Sequence, residues 1–288
     1  MKRTLIIGAL LVAIAFAAPA QSFLNNNEGP ISVSLVGETG AVKILTHTIQ
    51  LGESGDVFDY VNEGGQEILL PFNRITAELS IDRRHTIIFL YQPLEISTQV
   101  KFDEARTIDD VTFEADEGVN LVYSFPFYRA SYLFDFAPAD NLELAAGLSL
   151  QLRNASIRFV SINGDQTDVV ATQDLGPVPI IKLRGEYRFT DGPIPGAFLG
   201  LEADGFYASS AFINGADFEF TGSIYDVSLR TGFEPTPGLD VFLNLRGFGG
   251  GGGGTRPEDD REFWSQSRTG FTDNFINTLS LTLGARVR

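Results

Sequence analysis

LELAAGLSLQL, residues 142–152, decides the fold. Leu142, Leu144, Ala146, Leu148, Leu150 and Leu152 are apolar, and Glu143, Ala145, Gly147, Ser149 and Gln151 between them, with Arg153 after, are polar or small. A period of two is that of a strand with two unlike faces. Its length matches the roughly 9–11 residues that a tilted strand needs to cross a bilayer.

The pattern spreads outward from there. Ala137-Pro138-Ala139-Asp140-Asn141 turns the chain back into Leu121 to Phe136, where Tyr128, Ala130, Tyr132, Phe134 and Phe136 oppose Arg129, Ser131 and Asp135. Downstream, Pro179 to Phe189, Ala197 to Ala208, Phe218 to Phe233, Leu239 to Phe248 and Phe275 to Arg288 repeat the alternation. Upstream, Glu67 to Ile81 sets Ile75, Ala77, Leu79 and Ile81 against Arg74, Thr76, Glu78 and Ser80, and His85 to Val100 follows. In Ile31 to Leu51 the run Gly37-Glu38-Thr39-Gly40 interrupts the pattern, so the first crossing is read as Ala41 to Leu51. This gives about ten crossings, with eight or twelve as alternatives.

Connections at Asp82, Pro138, Gly192 and Pro237 are short, and those at Glu53, Lys101, Asn163 and Gly249 are longer. Asn214-Gly215, a hairpin signal, falls where a long one is due. Short turns on one side and long loops on the other are the habit of outer-membrane barrels, with both chain ends periplasmic. The expected fold is all-β, a single antiparallel transmembrane barrel over residues 21–288. A soluble β-sandwich, whose second sheet would cover the apolar face, is the alternative.

Lys2 and Arg3 followed by the apolar Leu5 to Ala17 read as a secretory signal, with Ala18-Pro19-Ala20 as a cleavage site. The chain then reaches the bacterial outer membrane by export. It has no cysteine, so disulfides, thiolate metal sites and a lipoprotein anchor are excluded. The net charge of −16 disfavours nucleic acid, which demands basic patches.

If lipid covers the apolar faces, the charged faces line the lumen. They gather Arg129, Asp135, Glu143, Arg153, Lys182, Arg184, Glu186, Arg188, Glu202, Asp204, Asp226, Arg230, Asp240, Arg246 and Arg286. About ten strands leave little interior, and buried charges there must pair or stay hydrated. A salt-bridged plug is the first expectation and a narrow selective path the second.

Catalysis has little to work with. Only His47 and His85 are present. His47 shares the alternation with Leu45, Ile49 and Leu51, and His85 adjoins the Arg83-Arg84 turn; neither has an obvious nucleophile and orienting carboxylate beside it. Acidic runs at Asp103-Glu104, Asp109-Asp110, Glu114 to Glu117 and Glu258-Asp259-Asp260 match no calcium loop. Gly249 to Gly254 lacks the Lys-Ser/Thr ending of a phosphate loop and reads as a mobile linker. No cofactor or metal is expected.

The segments YRASYLFDFAPADNLELAAGLSLQLRNASIRF (128–159), RRHTIIFLYQPLEI (83–96) and INTLSLTLGARVR (276–288) resemble those of small bacterial outer-membrane β-barrel proteins, many of them uncharacterised. The resemblance implies outer-membrane lipid and the barrel-assembly machinery as partners. That machinery commonly reads a terminal aromatic, where this chain has Arg288. The resemblance transfers no catalytic residue. The expected function is non-enzymatic, structural or surface-interacting, with a narrow channel as the alternative and a lipid-modifying or proteolytic enzyme third.

Overall fold

The computed structural model describes residues 30–153, 155–162, 168–173, 177–212, 220–255 and 271–288. The signal segment, Asn163-Gly164-Asp165, Asn214-Gly215, the charged stretch 256–268 and the side chain of Arg153 lie outside the described residues. In chain order the first strands are β1 (Ile31–Leu51), β2 (Val57–Asp59), β3 (Leu69–Ile81), β4 (His85–Gln92), β5 (Glu95–Lys101) and β6 (Arg106–Ile108). Next come β7 (Val111–Phe113), β8 (Gly118–Ser124), β9 (Phe127–Asp135), β10 (Leu142–Arg153), β11 (Ala155–Ser161) and β12 (Asp168–Gln173). The last are β13 (Pro177–Arg188), β14 (Phe198–Ser209), β15 (Phe220–Thr236), β16 (Leu239–Thr255) and β17 (Phe271–Val287).

Ten of these, β1, β3, β4, β9, β10 and β13 to β17, pair antiparallel in a ring, and β17 returns to β1 from Leu35↔Val287 to Leu51↔Thr272. Closure satisfies the backbone of both would-be edge strands, the condition for strands to stand in lipid. The outer face carries Phe89, Leu148, Ile181, Leu201, Leu243 and Leu281, between 51% and 65% exposed. Among the described residues no second sheet covers this belt and the ring is closed, so the sandwich alternative fails and the fold is the transmembrane barrel. Toward the upper end Lys43 donates to the Glu67 carbonyl and Tyr225 to Asn277 Oδ1. At the lower end, beside the short turns, aromatics gather; His85 Nδ1 lies 2.8 Å from the Tyr132 hydroxyl.

Several expected boundaries move. The first crossing is the whole of Ile31–Leu51, paired with β3 from Ile31↔Ile81 to Lys43↔Leu69. Gly37 and Gly40 are therefore strand residues. At Gly40 a Cβ would strike the Leu281 carbonyl, so the glycine permits the close seam between β1 and β17. Gly249 to Gly254 is likewise no linker: each of the six pairs with β15 and β17. Gly250 has φ +149°, and a Cβ there would meet the Ser223 carbonyl.

His85 to Val100 and Leu121 to Phe136 each divide into a barrel strand and an outer one. Pro93 separates β4 from β5, and Pro126 separates β8 from β9. Proline cannot donate to the ladder, so the wall bends there. The strands β5, β8, β11 and β12 form a sheet of their own, each an extension of a barrel strand, and β6 and β7 form a separate hairpin. Together they cap the end opposite the short turns. The cap's Phe58, Tyr60, Phe113, Tyr123 and Phe159 share one apolar core with Val42, Ile44, Phe72, Phe248 and Ile276 of the barrel's inner face.

Candidate functional site

The lower lumen is built by strand parity alone. Residues at even positions of β14, β15, β16 and β17 face inward, bringing Glu202, Asp204, Asp226, Arg230, Asp240, Arg246 and Arg286 into one space, each 8% exposed or less. Asp226 is the hub. Arg74 Nη1 and Arg129 Nη1 each lie 3.2 Å from its Oδ2, and Arg246 donates to its Oδ1. Arg129 also donates to Asp204, which with Glu202 holds Lys182 Nζ at 3.2 and 3.0 Å. Arg230 Nη2 reaches Glu202 at 2.7 Å. Uncharged amides complete the shell: Gln151 Oε1 accepts from Arg129 Nε and Nη2 at 2.9 and 2.7 Å, and Asn244 donates to Glu38 at 2.7 Å.

A second tier lies toward the short turns. Arg184 bridges Glu78 at 3.1 Å and Glu143 at 2.6 Å. Asp240 accepts from Arg188, Arg286 and Arg288 at 3.1, 2.7 and 3.0 Å, and Glu186 accepts from Arg286 at 2.7 Å. The Arg188 and Arg286 guanidiniums flank the Phe198 ring at 5.0 and 5.3 Å.

Among the described residues this paired set holds nine cations (Arg74, Arg129, Lys182, Arg184, Arg188, Arg230, Arg246, Arg286, Arg288) and nine anions (Glu38, Glu78, Glu143, Glu186, Glu202, Asp204, Asp226, Glu234, Asp240). The chain is strongly acidic, yet its interior is balanced. A bare charge in such a space would cost several kcal/mol, which pairing offsets. The gap left amid Glu38, Arg74, Arg129, Lys182, Glu202 and Arg246 is about 20 Å³, room for about one water.

Of the expected lumen residues, thirteen (Arg129, Glu143, Lys182, Arg184, Glu186, Arg188, Glu202, Asp204, Asp226, Arg230, Asp240, Arg246 and Arg286) join this network. Asp135 does not; its carboxylate accepts from the Ala137 and Leu144 N–H groups at 3.0 and 3.3 Å and closes the turn between β9 and β10. Glu38 was missed because its flanking glycines imitate a turn. Arg74 and Glu78 stood on the correct face in the alternation, which was signal enough to find them.

His47 is not on the face of Leu45. A bulge between Ile44 and Thr46 shifts the register, so Leu45 is 50% exposed while His47 is fully buried with Ile49 and Leu51. Its ring stacks on Tyr60 at 4.3 Å, and its Nδ1 lies 2.7 Å from Gln66 Oε1. Burial in the cap holds the Tyr60 phenol well above its usual range, so it stays protonated.

No protein-family model matches the chain, and no curated protein does. Among solved structures it is similar to the outer-membrane protease OmpT of Escherichia coli at 13% identity, with a TM-score of 0.41, covering 88% of this chain and 96% of that one. A Pseudomonas aeruginosa FadL homologue gives 9% and 0.38, covering 89% and 90%. Ail, the attachment invasion locus protein of Yersinia pestis, gives 9% and 0.33, covering 88% and 98%. Likeness at this level assigns no activity.

Proposed function

We propose that the protein is a non-enzymatic resident of the bacterial outer membrane, delivered by a cleaved signal peptide and the barrel-assembly machinery. It acts through its external cap and does not conduct. The observation that carries this reading is the charge-balanced lumen, with space for about one water at its centre. The belt fits outer-membrane lipid, and the cap stands on the long-loop side, which faces outward in such barrels.

Two further observations support a non-catalytic role. His47 is held by Gln66 between Tyr60 and Tyr123, away from the surface. His85 is bonded to Tyr132 among aromatics on the outer face. Their ring partners are Gln66 Oε1 and the Tyr132 hydroxyl, not the base–nucleophile pair that acyl transfer would demand.

The test is conductance of the refolded protein in a planar lipid bilayer, with insertion shown independently by heat-modifiable migration. A silent bilayer is expected. Discrete, reproducible current steps would overturn the reading and make the same charges a selectivity filter.

A further inference from the structure

The wall of the barrel does not end evenly. Four adjacent strands, β4, β9, β10 and β13, continue into the separate cap sheet, while β14 to β17 and β1 stay paired within the barrel sheet. Pairing must therefore fail at the seams between the two groups. At one of them, β13 and β14 pair only from Arg188↔Phe198 to Ile181↔Gly205. Yet β13 stays paired with β10 as far as Leu152↔Pro177, and β14 with β15 as far as Ser209↔Thr221. The wall is split there among the described residues, and Pro177 and Pro179 on one lip have no N–H to offer across it.

Behind the split lies a cavity of about 290 Å³. Val178 and Pro179 of one lip and Phe206 and Ala208 of the other line it, so it reaches the seam. Its remaining lining is mainly apolar, Phe127, Ile224 and Phe248 among it. Gly222 and Gly250 present bare backbone to it.

Its polar groups are few and incompletely satisfied. Gln151 and Asn274 line the cavity and are 0% and 5% exposed. Gln151 Oε1 is committed to two Arg129 donors, which forces its Nε2 the other way, where it has no partner. The Asn274 amide has one bond, at 3.3 Å to the Tyr123 hydroxyl, and its other polar atom has none. Buried polar atoms are nearly always paired, and two open ones on residues that line one apolar cavity point to a ligand that closes them. The charges on the floor, Arg129 and Asp226, already neutralise one another, so the site selects against an ionic head.

From this geometry we infer that the outer half of the barrel holds a binding site for a neutral amphiphile. Such a ligand has an apolar body of about a dozen non-hydrogen atoms, scaled from the ~150 Å³ cavity that takes benzene, and one hydroxyl or amide end. It enters from the lipid through the split between β13 and β14. A primary alcohol can accept from Gln151 and donate to Asn274, whereas a carboxylate would add a charge to a balanced floor. This site goes beyond the closed-lumen reading: a current in the same preparation would count against the plug and leave the pocket untouched.

The experiment uses the full-length protein in lipid vesicles and a ten-carbon alcohol bearing a mid-chain diazirine. After irradiation, labelled peptides are mapped by mass spectrometry. Labelling should concentrate on β13, β14 and β15 above Ile181, and 1-decanol should compete about fivefold better than decane or decanoate, the worth of one or two hydrogen bonds. Ala208→Phe fills the cavity from one lip and should lower that labelling about tenfold. Ile224→Trp does the same from another strand, in case the first variant fails to fold. Asn274→Leu should abolish the preference for decanol over decane. Labelling spread evenly over the apolar belt and unchanged by both filling variants would overturn the site as bilayer partitioning only. Equal competition by decane and decanol would overturn the assigned head group.

Discussion

Two interiors share one barrel, and a single step along each strand separates them. On β3 the inward face passes from Arg74 to Phe72, on β9 from Arg129 to Phe127, and on β16 from Arg246 to Phe248, all 7% exposed or less. On β14 and β15 the same step runs from Asp204 to Phe206 and from Asp226 to Ile224. Below this level the lumen is filled by paired ions, and above it rings and aliphatic side chains take over the inward face. The outer face does not register the change, because lipid asks only that it be apolar. Alternation therefore specifies the barrel, while the inward half of each period specifies what the barrel contains. The two fillings stabilise differently: ions by pairing with a fixed partner, which is directional, and rings by excluded surface, which is not.

The largest effect should follow from breaking the ionic filling at its hub. Asp226→Leu is close in bulk but leaves Arg74, Arg129 and Arg246 facing one another, so about 3–5 kcal/mol of stability should be lost. Urea unfolding in detergent, followed by heat-modifiable migration and circular dichroism, measures it. A loss below about 1 kcal/mol would mean that water enters the lumen and screens the cations, and the contrast between the halves would dissolve.

The upper filling should fail differently. Phe113→Ala removes a ring packed against Phe102 and Phe159 in the cap, with centroids 5.9 and 6.2 Å away. Truncating such a ring costs about 3 kcal/mol, but here the cost falls on the cap. Limited proteolysis should cut the cap of the variant quickly and leave the ten-stranded core at its normal unfolding midpoint. If cap and core melt together, the shared core couples them more tightly than the proline breaks at Pro93 and Pro126 suggest.

The barrel was legible in the sequence because lipid punishes lapses in outward apolarity, leaving a period of two in most strands from Tyr128 onward. The inward charges were legible for the same reason, since the other parity was free to be charged. Three features were not. Polyglycine carries no side-chain period, so Gly249 to Gly254 read as a linker although its lack of Cβ atoms is what lets β16 pass between Ser223 and Asn274. The bulge after Ile44 reverses parity without any residue that announces it, so simple alternation put His47 on the face of Leu45 when it lies on the opposite one. The cap strands β5 and β8 keep the alternation of the strands they extend, so only Pro93 and Pro126 mark where membrane ends and cap begins.

The smallest effect tests whether balance matters or only burial. Arg83 and Asp140 also form an ion pair, 3.1 Å apart, but on the short turns, with side chains 75% and 97% exposed. Water already satisfies both groups, and holding two mobile side chains together costs entropy. Asp140→Ala should therefore change stability by at most about 0.5 kcal/mol, and raising the salt should erase even that. Because the Arg83–Asp140 distance matches those around Asp226, the contrast isolates the dielectric surroundings from the geometry. Should Asp140→Ala prove as costly as Asp226→Leu under the same urea protocol, burial would not be the cause of the plug's strength, and turn closure between β9 and β10 would have to replace it.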